Sequence, residues 1–302
     1  MTARARTRLA ALLATSVVVL AGCGTEDDPQ GNDPNDAPTK SDKPSKKPSP
    51  ASDTPSNGGS SPDTVAVPVY FVGDTPQGPR LFREFRNVES DNPVDEALAL
   101  LGAGDALDPD YSTLVPGQLR GQSQDELFRV ELTDESLAER PDGMSAKEAK
   151  LAVQQVVYTV QGVLQERIPI EFVLPSGDST PLVGMDTPSG GFTDAAPNNV
   201  LALVNVTEPA EGKTVADTFT ASGVANSFEA TVPWEVRDAD GKRVLEGFAT
   251  AAGWMDKLYP WESQVDVSSL APGTYTFVAM TDDPSGGEGG GPTEDTKTIT
   301  VQ

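Results

Sequence analysis

The sequence predicts an α+β protein in which two folded regions follow a non-globular N-terminal stretch. Three features of the 302 residues predict this organisation. Residues 24–63 lack large apolar side chains, residues 64–203 alternate strand and helix patterns, and residues 204–302 carry short strand patterns roughly 8–12 residues apart. We therefore expect an α/β sandwich and then an all-β sandwich, both after a disordered linker.

The N-terminus has the pattern of a secretion signal. Three arginines precede an apolar segment over residues 9–20: Arg4, Arg6 and Arg8. That segment is shorter than the roughly 20 apolar residues that a membrane-spanning helix needs. It predicts a signal peptide over residues 1–22.

The signal ends in Leu20-Ala21-Gly22-Cys23, and Cys23 is the only cysteine of the chain. This tetrapeptide resembles the lipobox of bacterial lipoproteins. The resemblance implies that Cys23 carries a diacylglycerol thioether and becomes the first mature residue, so that its lipid anchors the protein to the outer face of the cytoplasmic membrane. An ordinary secretory signal with a chance cysteine is the alternative.

Composition excludes several classes of site. With no histidine and no second cysteine, the chain has no intramolecular disulfide, no Ser-His-Asp or Cys-His machinery and no Cys-based metal site. A net charge of −24 argues against nucleic-acid binding, which needs clustered Lys and Arg. It also predicts repulsion from anionic lipid head groups, so that the lipid on Cys23 would hold the protein to the membrane.

Residues 23–63 are predicted to be a lipidated N-terminus and a disordered linker. From Gly24 to Asp63 there is no Val, Leu, Ile, Met, Phe, Tyr or Trp. Such a stretch buries too little apolar surface to offset the conformational entropy lost on folding. We expect it to be a spacer between the membrane and the folded regions.

The first folded region, 64–203, is predicted to place helices on one face of a sheet. Asn92-Pro93 starts a helix, and Ser145 with Glu148 forms a capping box at the start of a second one. Pro68 predicts an edge position or a bulge for the first strand. The predicted strands are Val65–Val72, Arg80–Val88, Leu127–Leu132 and Ile168–Leu174, with a further short one over Leu182–Asp186.

This arrangement resembles a known family. The opening strand, the Asn92-Pro93 helix start and the capped helix around Gln154-Gln155-Val156-Val157-Tyr158-Thr159 are similar to the GerMN domain. That domain occurs in spore-germination lipoproteins and in lipoproteins of non-sporulating bacteria. The resemblance implies a small α/β domain that mediates protein contacts rather than chemistry.

The second folded region, 204–302, is predicted to be a sandwich of short strands. Asp240-Gly241 is a tight turn signal between two of them. The predicted strands are Val204–Thr207, Phe219–Val224, Ala230–Arg237, Arg243–Thr250, Gln264–Val267, Thr274–Met280 and Thr296–Val301.

Several segments of this region are similar to the immunoglobulin-like domain of bacterial spore germination. They are Pro209-Ala-Glu-Gly212, Gly223–Val232, Asp238-Ala-Asp-Gly241 and Leu270-Ala-Pro-Gly-Thr-Tyr275. That domain often follows GerMN in one chain, so the pairing supports both resemblances.

Two acidic clusters are candidate metal sites. Asp105, Asp108 and Asp110 crowd one segment, and Asp238 with Asp240 resembles the start of a calcium loop. The calcium template needs a glutamate at its twelfth position, which is Ala249 here. We therefore expect a solvated loop and a hairpin turn, with no bound metal or cofactor.

Three aromatic residues are candidate ligand contacts. Trp254, Tyr259 and Trp261 lie in a turn-rich stretch, where their rings could stack on a sugar. The alternative is that they pack at the edge of the core.

These observations favour a non-enzymatic envelope lipoprotein whose two domains bind protein partners or wall material. No catalytic constellation stands out. Two alternatives remain open: an accessory regulator of a membrane sensor kinase, and a wall-remodelling hydrolase that uses two carboxylates.

Overall fold

A computed structural model of the chain describes residues 63–124, 126–288 and 290–302. The predicted signal peptide, Cys23 and the linker up to residue 62 lie outside these ranges. Within them, no helix is both long and apolar enough to cross a membrane.

The buried apolar side chains of the described residues form two large cores. One draws on residues 67–202 and the other on residues 204–301. We refer to these two parts as the first and second domains. Both belong to one compact unit of the chain, so their contacts with each other are part of the fold.

The described residues of the first domain form two small sheets, three α-helices and a 3-10 turn over Glu135–Ala138. Its strands are β1 (Thr64–Gly73), β2 (Arg80–Glu89), β3 (Leu119–Ser123), β4 (Phe128–Leu132) and β5 (Ile170–Val173). The helices are α1 (Pro93–Ala103), α2 (Ala146–Leu164) and the single turn α3 (Pro197–Val200). Strands β1 and β2 form an antiparallel pair, while β4 pairs antiparallel with β3 and parallel with β5.

The expectation of one sheet is wrong, because α2 covers the free edge of β1. The backbone N–H of Tyr70 donates to Thr159 Oγ1 at 3.1 Å, and Gln155 Nε2 donates to the Tyr70 carbonyl at 3.0 Å. These helix side chains occupy the backbone groups that a further strand would need. The edge position predicted for Pro68 is confirmed, and its pairing with Phe85 shows no bulge.

Both long helices begin where the sequence predicts. Pro93 is the first residue of α1, and Gly104 ends it in the left-handed region at φ 65°. Helix α2 has the predicted capping box: Glu148 N–H donates to Ser145 Oγ at 3.1 Å, and Ser145 N–H donates to Glu148 Oε2 at 2.8 Å. The cap starts a helix whose apolar face is almost fully buried in the first core.

The second domain is a sandwich of two sheets. Its strands are β6 (Val204–Glu208), β7 (Lys213–Val215), β8 (Thr218–Ala225), β9 (Thr231–Arg237), β10 (Arg243–Thr250), β11 (Tyr259–Asp266), β12 (Gly273–Met280) and β13 (Glu294–Val301). One sheet has the order β10-β9-β12-β13-β7 and the other β11-β8-β6. Only the β13–β7 pair is parallel among these strands.

Three local expectations need correction. Strands β3 and β7 were not predicted, because each is short and has weak apolar alternation. Strand β11 begins at Tyr259, earlier than the predicted Gln264. The short strand predicted over Leu182–Asp186 is a single bridge between Leu182 and Met185. The predicted turn at Asp240-Gly241 is confirmed, since it joins β9 to β10 with Gly241 at φ 75°.

Candidate binding site

The last strand carries two opposite charges on its buried face. In β13 every second residue is buried: Asp295, Lys297, Ile299 and Val301. Ile299 and Val301 belong to the second core. Asp295 and Lys297 instead contact the first domain, so this strand passes from a hydrophobic core into a polar junction.

Lys297 is the centre of that junction. Its Nζ lies 3.0 Å from Asp295 Oδ1 and 2.9 Å from the hydroxyl oxygen of Tyr111, and it also pairs with the Asp108 carboxylate. Asp108 and Tyr111 lie in the first domain, between α1 and β3. Lys297 and Asp108 are 4% and 2% exposed, so this ion pair joins the two domains almost out of contact with water.

Asp295 completes the junction through four hydrogen-bond donors. Its Oδ1 accepts from Tyr111 Oη at 2.7 Å and from Lys297 Nζ. Its Oδ2 accepts from the backbone N–H of Val206 at 2.6 Å and from Asn205 Nδ2 at 3.0 Å. Two carboxylates therefore share one ammonium group, and neutral donors compensate the remaining negative charge.

Strand β2 holds the loop that supplies Asp108. The Glu84 carboxylate accepts from the backbone N–H groups of Leu107 at 3.0 Å and Asp108 at 2.8 Å. The prediction that the Asp105–Asp110 cluster is a solvated loop is therefore wrong for Asp108, whose charge partner Lys297 lies 189 residues further along the chain. Asp105 and Asp110 are exposed, as predicted for such a loop.

Burial and nearby charges shift the pKa values of the junction residues in defined directions. Burial raises the pKa of Asp108, and the nearby Lys297 ammonium opposes that effect. Burial also raises the pKa of Tyr111 well above 10.0, and the carboxylates of Asp295 and Asp108 add to it. Burial alone lowers the pKa of Lys297, but these two carboxylates outweigh it and raise the pKa above 10.5.

A cleft of about 440 Å³ lies between the two domains. Its first-domain wall includes the rings of Tyr70 and Tyr158, whose centroids are 5.3 Å apart, together with Arg83. Asn205, which also bonds Asp295 in the junction, lies on the second-domain wall. The junction therefore helps to set the separation of the two walls, together with the hydrogen bond from Asn198 Nδ2 to the Met255 carbonyl at 2.8 Å.

The three aromatic candidates do not form one exposed surface. Trp261 is 3% exposed and belongs to the second core, so its ring is not available for stacking on a sugar. Trp254 is 38% exposed and packs edge-on against Phe228, with centroids 5.2 Å apart. Tyr259 donates its hydroxyl hydrogen to Asp256 at 2.6 Å. Trp254 and Tyr259 remain predicted contacts.

The second acidic cluster is a turn. Asp238 Oδ1 accepts from the backbone N–H groups of Asp240 at 3.0 Å and Lys242 at 2.9 Å. Its carboxylate therefore stabilises the hairpin between β9 and β10. Cys23, the predicted lipidation site, lies outside the described residues and stays a prediction.

Sequence reasoning missed Lys297, Asp295 and Tyr111. A signal for two of them was present, since the alternation Asp295, Lys297, Ile299, Val301 places both charges on the apolar face of the strand. Charged residues are rarely buried unless they are paired, so this pattern predicts buried partners without identifying them.

These elements define a class of protein: an α/β sandwich joined through a buried charge network to an immunoglobulin-like sandwich. Residues 68–173 match the Germane family, described as sporulation and spore germination. Residues 203–288 match the family described as the immunoglobulin-like domain of bacterial spore germination. The chain therefore carries a GerMN-like domain followed by a spore-germination immunoglobulin-like domain, which confirms both resemblances and their order. Neither description names an enzymatic activity.

Several solved structures are similar to parts of the chain. The tandem GerMN domains of the sporulation protein GerM from Bacillus subtilis are 13% identical, with a TM-score of 0.34, over 68% of this chain and 62% of that one. CopC from Methylosinus trichosporium OB3b is 21% identical, with a TM-score of 0.23, over 33% of this chain and 93% of that one. These scores carry no functional argument. The comparison with curated proteins gives no match.

Replacing Lys297 tests the junction. We expect Lys297→Met to lower the free energy of unfolding by about 3–5 kcal/mol, because it leaves Asp108 and Asp295 buried without a cation. The control is Lys213→Met, which removes an ion pair to Glu208 whose side chains are 46% and 45% exposed. That change should cost at most about 1 kcal/mol in urea unfolding. Equal losses in the two variants would contradict the junction's role.

Alkaline pH should weaken the same junction. Because the pKa values of Lys297 and Tyr111 are raised, their stabilising contributions are complete below pH 10.0 and are lost as pH rises through the raised values. We expect the free energy of unfolding to fall above pH 10.0 by up to about 1.4 kcal/mol per pH unit for each group.

The matched variant for this pH experiment is Lys297→Met/Tyr111→Phe. Its free energy of unfolding should fall less steeply over the same pH range. A residual slope is expected from Tyr158, because burial raises its pKa to about 12. An unchanged slope in the double variant would show that these groups do not control alkaline stability.

Proposed function

We propose that this protein is a non-enzymatic lipoprotein of the cell envelope. In this proposal the lipid on Cys23 anchors it to the extracytoplasmic face of the cytoplasmic membrane, and its two domains bind a protein partner or wall material there. The observation that carries the proposal is the buried junction, which holds the two domains as one body with a cleft between them.

The family descriptions support a binding role. Both matched families are described through germination, and one of them as an immunoglobulin-like domain. In this chain four buried titratable groups, Asp108, Tyr111, Asp295 and Lys297, bond one another across the junction. Their charges are thus used in holding the domains together, as expected of a scaffold for binding.

The sequence supports anchoring by lipid. An acidic body with a net charge of −24 is repelled by an anionic membrane surface, so an attached lipid is needed to hold it. The Leu20–Cys23 resemblance supplies the diacylglycerol group, and two acyl chains provide the stable anchoring that one chain does not.

Fractionation of cells tests the anchor. We expect Cys23→Ala to move the protein out of the membrane fraction, because the thioether cannot form. The neighbouring change Gly24→Ala is the control and should leave the protein membrane-bound. The anchor is disproved if Cys23→Ala sediments with membranes as firmly as wild type after a high-salt wash.

Crosslinking of intact cells expressing the wild-type chain tests partner binding. We expect discrete crosslinked species that contain this protein and an envelope component. Recovery of nothing above the background of an uncrosslinked sample would count against the proposal.

A further inference from the structure

The cleft between the domains is basic, although the chain as a whole is acidic. The sequence has 46 acidic and 22 basic residues. Among the described residues lining the cleft, Arg83, Arg167 and Lys257 face the single carboxylate of Glu166. Arg167 also pairs with Asp194 at 2.6 Å outside this lining. A local excess of positive charge in such a chain favours an anionic ligand.

Among the described residues, Arg83 and Lys257 are the two cleft cations that form no salt bridge, and Arg83 is the more buried of them. Its Nη2 donates to Thr207 Oγ1 at 3.3 Å, and its guanidinium carbon lies 4.6 Å from the centre of the Phe85 ring. In the described part of the chain it forms no salt bridge, and its Nε is buried without a hydrogen-bond partner. Guanidinium groups bind carboxylates through paired N–H donors, so a ligand carboxylate would satisfy this side chain.

Asn205 supplies the complementary unused acceptor. Its Nδ2 donates to Asp295, while its Oδ1 is buried and has no donor among the described residues. Both Arg83 and Asn205 line the cleft. A ligand that carries an N–H group as well as a carboxylate would satisfy both once these two side chains turn toward the cleft, since both unpartnered atoms are buried. Peptides have this combination.

The rest of the cleft lining is mostly apolar, with Gln161 and Gln165 as its further polar side chains. Tyr70 and Tyr158 present their rings, and Leu81 and Leu201 lie beside them. The Tyr158 hydroxyl already donates to the Ala195 carbonyl at 2.6 Å, so a ligand in the cleft would contact mainly the ring of this residue. A volume of about 440 Å³ lies within the roughly 300–1,000 Å³ range of small-ligand sites.

We propose that this cleft binds a short peptide that carries a free carboxylate. The carboxylate pairs with Arg83, and Arg167 and Lys257 attract it electrostatically. A peptide N–H donates to Asn205 Oδ1, and an apolar side chain packs on the two tyrosine rings. This inference rests on the proposed binding function and names the chemical class of its ligand.

The test measures retention of the purified full-length chain on immobilised peptides. The first resin carries a tripeptide library made without Asp or Glu, coupled through its N-terminus, with a free C-terminal carboxylate. The second carries the same library as C-terminal amides. The third is amidated and has glutamate at the middle position. We expect retention on the first or third resin, which distinguishes a terminal from a side-chain carboxylate, and none on the second.

Variants identify the site. We expect Arg83→Met to weaken retention about tenfold or more, the loss typical of a hydrogen bond to a charged group. Arg120→Met is the control, since it removes an exposed arginine that does not line the cleft. If Arg83→Met fails to fold in a thermal melt, Lys257→Met decides and should weaken retention, because that cleft lysine is exposed and forms no salt bridge among the described residues.

Three outcomes would overturn the inference. They are equal retention on the amidated resin, no retention on any resin, and a folded cleft variant that binds as well as Arg120→Met. None of these affects membrane anchoring or crosslinking in cells, so the ligand class can fail while the broader binding function stands.

Discussion

The buried ammonium group of Lys297 is the constraint on which the arrangement of this protein depends. It sits between Asp295 of its own strand and Asp108 of the other domain, and Tyr111 bonds both Lys297 and Asp295. Removing water from these groups is costly, so they are stable together only when all their partners are in place. That requirement favours the docking geometry in which Asp108, Asp295 and Tyr111 all reach Lys297.

The contacts of the junction also position the residues that line the cleft. Asn205 bonds Asp295 through its amide nitrogen and lines the cleft, while Glu84 and Arg83 are neighbours in β2. Glu84 holds the loop that supplies Asp108, and Arg83 reaches across to Thr207 of the second domain. We infer that the junction mainly determines how the two domains dock and adds little to the total stability. Buried ion pairs contribute little net stability over well-packed apolar groups.

Local features of the fold could be predicted from the sequence, while long-range features could not. The Ser145–Glu148 cap, the Pro93 helix start and the Asp240-Gly241 turn depend on neighbouring residues, and each is confirmed. The separate β1–β2 sheet depends on Gln155 and Thr159 bonding the backbone of Tyr70. The junction joins Asp108 to Lys297, which lies 189 residues further along the chain. Trp261 is a core residue because β11 begins at Tyr259 and not at the predicted Gln264. The hydrophobic periodicity of a segment does not show which distant residues its side chains contact.

The central claim is that the two domains form one rigid body, and a distance measurement between spin labels tests it most directly. Ala99 on α1 and Ser269 in the turn after β11 are exposed, and each can be replaced by a labelled cysteine in a chain with Cys23→Ala. The account predicts one narrow distance distribution, which broadens when Lys297→Met is added. A broad or multimodal distribution with Lys297 intact would contradict it.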